Sequence, residues 1–115
     1  MNVPDYQTLM APALAALNDG SERPVSQLLQ VLADQLGLTE DDLKATIPSG
    51  APLFGSRLNW AISYMYQAGL IRRPRRGVVQ ITDRGRDILT KHPARIDVSV
   101  LSQFKEFVEF RSRTR

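Results

Sequence analysis

Apolar residues recur along the first third of the chain at the three- and four-residue spacing of helix stripes. Leu9, Met10, Ala13, Leu14 and Leu17 form the first stripe, ended by Asn18-Asp19-Gly20. Pro12 fits the first turns of a helix that begins near Thr8, or kinks a longer one, with Asp5 and Tyr6 as its cap region. After a polar loop over 19–24, Ser26 is a candidate cap for a second stripe of Leu28, Leu29, Val31, Leu32 and Leu36, closed by Gly37. Thr39 then precedes Glu40-Asp41-Asp42, a cap followed by acids where the helix dipole favours them. A short third helix to about Ala45 follows. Dipole complementation explains the three acids better than a metal site, because neighbouring helical residues point apart. Pro48, Gly50 and Pro52 break the pattern into a loop.

The next pattern is helical from about Leu53 to Gln67. Leu58, Ala61, Met65 and Ala68 make one apolar row, with Trp60 and Tyr64 placed beside it in the core, and Ala68-Gly69 closes it. Ser56, Asn59, Ser63 and Tyr66 or Gln67 lie on the other face, with Arg57 at its flank; Ile62 is a core edge or a surface contact. Two short apolar strands follow, separated by Arg72-Arg73-Pro74-Arg75-Arg76-Gly77, the second through Val78, Val79 and Ile81. A helix joined at once to such a hairpin is the outline of a winged helix. Thr82 caps a further helix with Gly85, Ile88 and Leu89 that stops before Pro93. Its Asp83 and Asp87 sit among Arg84 and Arg86, which favours ion pairing over a catalytic pair of acids.

A last helix, capped by Asp97 or Ser99, carries Val100, Leu101, Phe104, Phe107, Val108 and Phe110. Part of that surface docks on the domain, and the remainder is exposed unless a partner subunit or another domain covers it. The basic tail over 111–115 reads as a frayed end or the start of a linker. The fold class expected is α+β: mainly α with a small β-hairpin wing, a winged helix-turn-helix with extra N- and C-terminal helices.

Composition narrows the chemistry. With 115 residues the chain makes one ordinary domain, with no room for a full catalytic domain beside it. Absence of cysteine excludes disulfides and thiolate zinc sites, and the single histidine, His92, excludes imidazole pairs. No signal sequence or spanning apolar run stands out, so no membrane partner is expected, and the protein is read as cytoplasmic and nucleoid-associated. No cofactor or metal is implied. Charge is strongly polarised: residues 1–56 carry two bases against seven acids, net −5, and the rest thirteen bases against five acids, net +8. Within residues 54–86 seven arginines face one acid, net +6, double the net +3 of the whole. Twelve of the fifteen bases are arginine, whose planar fork suits phosphate and guanine edges. A solvated basic face is the plain alternative; its placement on a hairpin tip favours a polyanion partner.

The chain resembles the N-terminal domain of Mrr-type restriction endonucleases over nearly its whole length. The resemblance rests on Val3-Pro4-Asp5-Tyr6 with Leu9-Met10, Leu36-Gly37-Leu38-Thr39, Arg57 through Trp60-Ala61, Tyr64 and Ala68-Gly69-Leu70-Ile71. It continues in Arg73-Pro74-x-Arg76-Gly77, Ile81-Thr82-Asp83-Arg84-Gly85 and Phe104-x-Glu106-Phe107. In that family such a domain is a winged-helix DNA-binding unit, and a separate C-terminal PD-(D/E)xK-type domain cuts DNA bearing methylated bases. This chain lacks that catalytic motif, so the resemblance implies the recognition half of a restriction-modification enzyme and not the enzyme. The expected division is a winged-helix domain over 1–95 and, over 96–115, an amphipathic helix and the start of a linker to a nuclease domain.

The expected interface follows. Ser56, Arg57, Asn59 and Ser63 lie nearest the bases of a major groove, and Arg72, Arg73, Arg75 and Arg76, helped by Arg84, hold phosphate or enter the minor groove. Rival readings are a stand-alone transcriptional regulator that forms a homodimer through the last helix, and a protein-interaction winged helix whose basic hairpin meets an acidic protein. A small metal-dependent nuclease lacks a ligand cluster.

Overall fold

The structure, a computed structural model, describes residues 3–113. Asp5 opens the chain's first turn: its Oδ1 accepts from the Thr8 N–H at 2.8 Å and its carbonyl from Leu9 N–H at 3.2 Å. Helix α1 (Met10–Ala16) follows with Pro12 as its third residue, where a missing N–H breaks no helical bond. Two-residue strand β1 (Arg23–Pro24) then runs straight into α2 (Val25–Gln35). Ser26 is therefore not the cap. Pro24 occupies the N-cap position in extended conformation without a side-chain bond, and Val25 N–H donates instead to the carbonyl of Gly77 at 2.9 Å.

Thr39 caps α3 (Glu40–Lys44) in a reciprocal capping box with Asp42, whose carboxylate takes the Thr39 N–H at 3.0 Å. That use accounts for a carboxylate only 5 % exposed. Residues 45–52 fold into a small closed loop, bridged between Thr46 and Pro52, which sets the start of α4 (Leu53–Gln67). At the far end of α4, Gly69 at φ +81° lets Gly69 N–H reach the Tyr66 carbonyl and Leu70 N–H reach that of Met65. This pair of bonds satisfies the last carbonyls and turns the chain into the sheet.

Strands β2 (Ile71–Arg75) and β3 (Val78–Ile81) pair antiparallel about the Arg76-Gly77 turn, where Gly77 takes φ +76°. The register shifts between Arg72 and Arg75, around Pro74 on the edge strand, where a missing N–H is tolerated. The expected hairpin is in fact a three-stranded sheet of order β1-β3-β2, with Arg23 opposite Val79 and Pro24 opposite Val78. Two residues within a polar loop carry no period from which a strand is read.

Thr82 caps α5 (Asp83–Lys91): its hydroxyl accepts from Gly85 N–H at 3.0 Å and donates to the Gly69 carbonyl at 2.6 Å. Gly85 lies so close to Leu70 that a Cβ there would stand 2.1 Å from the Leu70 carbonyl oxygen. On α5 Asp83 pairs with Arg86 and Asp87 with Lys91. The single last helix expected is two, α6 (Val98–Leu101), capped by Asp97, and α7 (Lys105–Arg113). In one straight helix Leu101 and Phe107 would face about 120° apart; the break at 102–104 lets both reach full burial.

One core gathers these elements. Leu9, Met10, Leu14 and Leu17 of the α1 region meet Leu28 and Leu32 of α2, Phe54, Leu58 and Met65 of α4, and Leu70 and Ile71. Ile62 is 2 % exposed and belongs to the core edge. Ile96, Leu101 and Phe107 join the same cluster, so residues 96–107 pack on the winged helix. Trp60 departs from expectation: it is 49 % exposed. Its spacing, four after Ser56 and three before Ser63, puts it on the polar edge of α4 and not in the Leu58 row. No described helix is long and apolar enough to cross a membrane.

Candidate nucleic-acid interface

Helix α4 shows its polar face because the opposite one is consumed by Phe54, Leu58, Ala61, Ile62 and Met65. Ser56, Asn59, Ser63, Tyr66 and Gln67 remain on the outer side at helical spacing, Asn59 and Tyr66 exposed and the others half-buried. Hydroxyl, amide and phenol groups thus form an uncharged ridge that can donate or accept hydrogen bonds. The β2–β3 hairpin stands beside this ridge. Between them runs an open cleft of about 390 Å³, walled by Asn59 and Ile62 on one side and Arg73, Arg75 and Arg76 on the other, with Val25 and Val78 in its lining.

Strand alternation divides the hairpin arginines. Arg73 and Arg75 turn towards α4, and the Arg73 guanidinium lies 4.5 Å from the centre of the Tyr66 ring, a cation–π contact that ties the hairpin to the helix. Arg75 is paired with Glu22, which reaches over from beside β1. Arg72 faces the other way, into a second hollow of about 420 Å³ that also holds Gln80, Asp83 and Arg86. Arg76 occupies the tip. Among the described residues, Arg72 and Arg76 have no ion pair or ring contact within the chain.

Two arginines expected at the interface are held elsewhere. Arg57 donates to the backbone carbonyls of Val3 at 2.7 Å and Pro4 at 3.4 Å, clamping the N-terminal segment against α4. Arg84 donates to the Ala68 carbonyl at 3.0 Å and to Glu106 at 2.7 Å, and lies over the Phe104 ring at 4.4 Å. It therefore joins the end of α4 to α7, away from the ridge. Glu106 is held below the usual carboxylate range by its own backbone N–H and then by Arg84. Asp5 is lowered chiefly by the Thr8 N–H.

The structure also gives residues contacts that the sequence pattern did not assign to them. Tyr66, seven after Asn59, serves as the platform for Arg73, and helical spacing already placed it on the outer face. Tyr6 stacks flat on Trp60, with ring centres 4.0 Å apart and planes within 6°. No local signal marks that pair. The same holds for Glu22, whose partner lies 53 residues away.

A hairpin of arginines alongside an uncharged polar helix face has the chemistry to meet a polyanion: cations for phosphate, neutral donors and acceptors for base edges. Among the described residues no group of three or more His, Cys, Asp or Glu is placed to hold a metal ion. In comparison with known proteins, no curated protein and no solved structure matches the chain. Residues 6–91 match the family model described as the Mrr N-terminal domain, a span that covers α1 through α5 with the whole ridge and hairpin. The chain belongs to the Mrr N-terminal domain family, the N-terminal region of Mrr restriction systems.

Proposed function

We propose that this domain binds double-stranded DNA as the target-recognition part of an Mrr-like restriction endonuclease acting on methylated DNA, with cleavage carried out by a separate nuclease domain. One observation carries the reading: the outer face of α4 and the arginine hairpin lie side by side across an open cleft, with Arg72 and Arg76 left without an ion pair among the described residues. In this reading α4 enters the major groove with Ser56, Asn59, Ser63 and Gln67 nearest the bases. Arg72, Arg73, Arg75 and Arg76 take phosphates on the flank. Arg57 and Arg84 shape the interface without touching the duplex.

Phosphate neutralisation then supplies most of the affinity, and affinity falls steeply with salt. The test is a titration of a short fluorescent duplex, unmethylated and methylated, at several salt concentrations. Steep salt dependence supports duplex binding, and a preference between the two duplexes places modification sensing in this domain. Absence of binding to either duplex at low salt would overturn the reading and favour an acidic protein as the partner of the hairpin.

A further inference from the structure

Four large apolar side chains stand exposed among the described residues, Leu43, Trp60, Tyr66 and Val108, and two of them belong to α4. Tyr66 is engaged by Arg73. Trp60 is half in water and yet firmly held. Its ring stacks on Tyr6 at 4.0 Å and meets Tyr64 edge-on at 6.0 Å. Tyr6 in turn sits on a segment fixed by Arg57 through the Val3 and Pro4 carbonyls and by the turn that Asp5 caps. A large ring held this way has little rotamer freedom left to lose, the property of an anchor residue in a binding surface.

Its surroundings say what such an anchor would meet. Helical spacing sets Trp60 beside Ser56 and Ser63, on the flank of α4 opposite Tyr66 and the hairpin. Along α4 the ring borders Ser56, Ser63 and Gln67, and behind it stand Tyr6 and Tyr64, both partly buried, so its exposed part adjoins the polar ridge. The complement is a polyanionic surface with an isolated apolar group. In the major groove of B-form DNA that group is the C5-methyl of thymine. We propose that Trp60 contacts the duplex and reads thymine by its C5-methyl, with Tyr6 and Arg57 as positioning residues that hold the ring. The inference rests on the duplex-binding reading above.

Trp60 is the only tryptophan, so its emission reports this contact alone. A short fluorescein-labelled duplex is titrated with the chain, beside the same duplex with uracil at every thymine, and both anisotropy and acrylamide quenching of tryptophan are followed. The wild type should prefer the thymine duplex by about fourfold per methyl contacted, the value of burying one such group. Acrylamide quenching should fall on binding. Trp60→Ala should bind both duplexes equally, and Trp60→Phe should retain part of the preference. Tyr6→Leu should lower both the thymine preference and the tryptophan anisotropy of the free chain while its circular dichroism and urea midpoint stay near those of the wild type, which separates loss of the ring's support from general destabilisation.

Anisotropy that reports binding while quenching is unchanged would sink this inference and leave duplex binding standing. Equal affinity of the wild type for both duplexes would likewise overturn the methyl readout, whether or not Trp60→Ala folds. Absence of binding at low salt would overturn the proposed function and this inference with it.

Discussion

Arg57 and Arg84 lie in the same stretch as Arg72 and Arg76, yet the two pairs do opposite things. The first pair faces inward to backbone carbonyls: Arg57 to Val3 and Pro4, Arg84 to Ala68 at the C-terminal end of α4. Carbonyls there lack helical partners, and the helix dipole favours a cation beside them. The second pair projects from the edge strand β2 and the hairpin turn, where among the described residues neither makes an ion pair or a hydrogen bond to a carbonyl. Equal charge thus serves as mortar in one region and as free surface in the other, and the difference is made by which acceptors the fold leaves open.

Breaking the mortar should have the largest effects. Gly85→Ala forces a Cβ onto the Leu70 carbonyl beside the Arg84 junction and should cost about 3 kcal/mol or more, read as a fall in the urea midpoint. Unchanged stability would mean that α5 does not approach Leu70 so closely. Arg57→Ala removes charged hydrogen bonds to two carbonyls and should cost about 1.5 kcal/mol while the salt slope of duplex binding stays as in the wild type. A slope reduced by one would make Arg57 a phosphate contact and erase the contrast. For Arg84→Ala, whose side chain is 39 % exposed and so partly screened, a loss near 1 kcal/mol is expected.

Arg72→Ala and Arg76→Ala should give the reverse result. Stability should stay within about 0.5 kcal/mol of wild type, and the salt slope should fall by about one for each. A loss of stability without a change of slope would move them into the structural class. The smallest effect is on acid stability. Asp5 and Glu106 have folded values below the usual carboxylate range, so their contribution is complete above the unfolded value and fades as pH falls through the folded one. Replacing Glu106 by Gln should flatten the acid limb of a stability-against-pH curve slightly.

Much of the fold was legible before any coordinates. The bounds of α4 follow from the Leu58, Ala61, Met65 row and the Ala68-Gly69 stop, and Thr39 and Thr82 announce their helices by hydroxyl caps. Ser26 failed as a cap because β1 feeds α2 directly. Of the candidate interface, the outer ridge was readable from spacing, since Ser56, Asn59 and Ser63 share one face of α4. Trp60 was misplaced because hydrophobicity was weighed above its position. Tyr6, 54 residues earlier, covers one face of the exposed ring.

By itself the sequence determined what depends on neighbours a few residues away: helical periods, caps, the glycine stops at Gly69 and Gly77, and the concentration of arginine on one hairpin. Those signals act through hydrogen bonds and side-chain spacing within a turn or two, so they are written locally. Tertiary structure decided the third strand, the break between α6 and α7, the pairing of Arg75 with Glu22 and the tethering of Arg57 and Arg84. Each of these satisfies a backbone carbonyl, a charge or an apolar side chain with a group far along the chain, and only folding brings that group within reach.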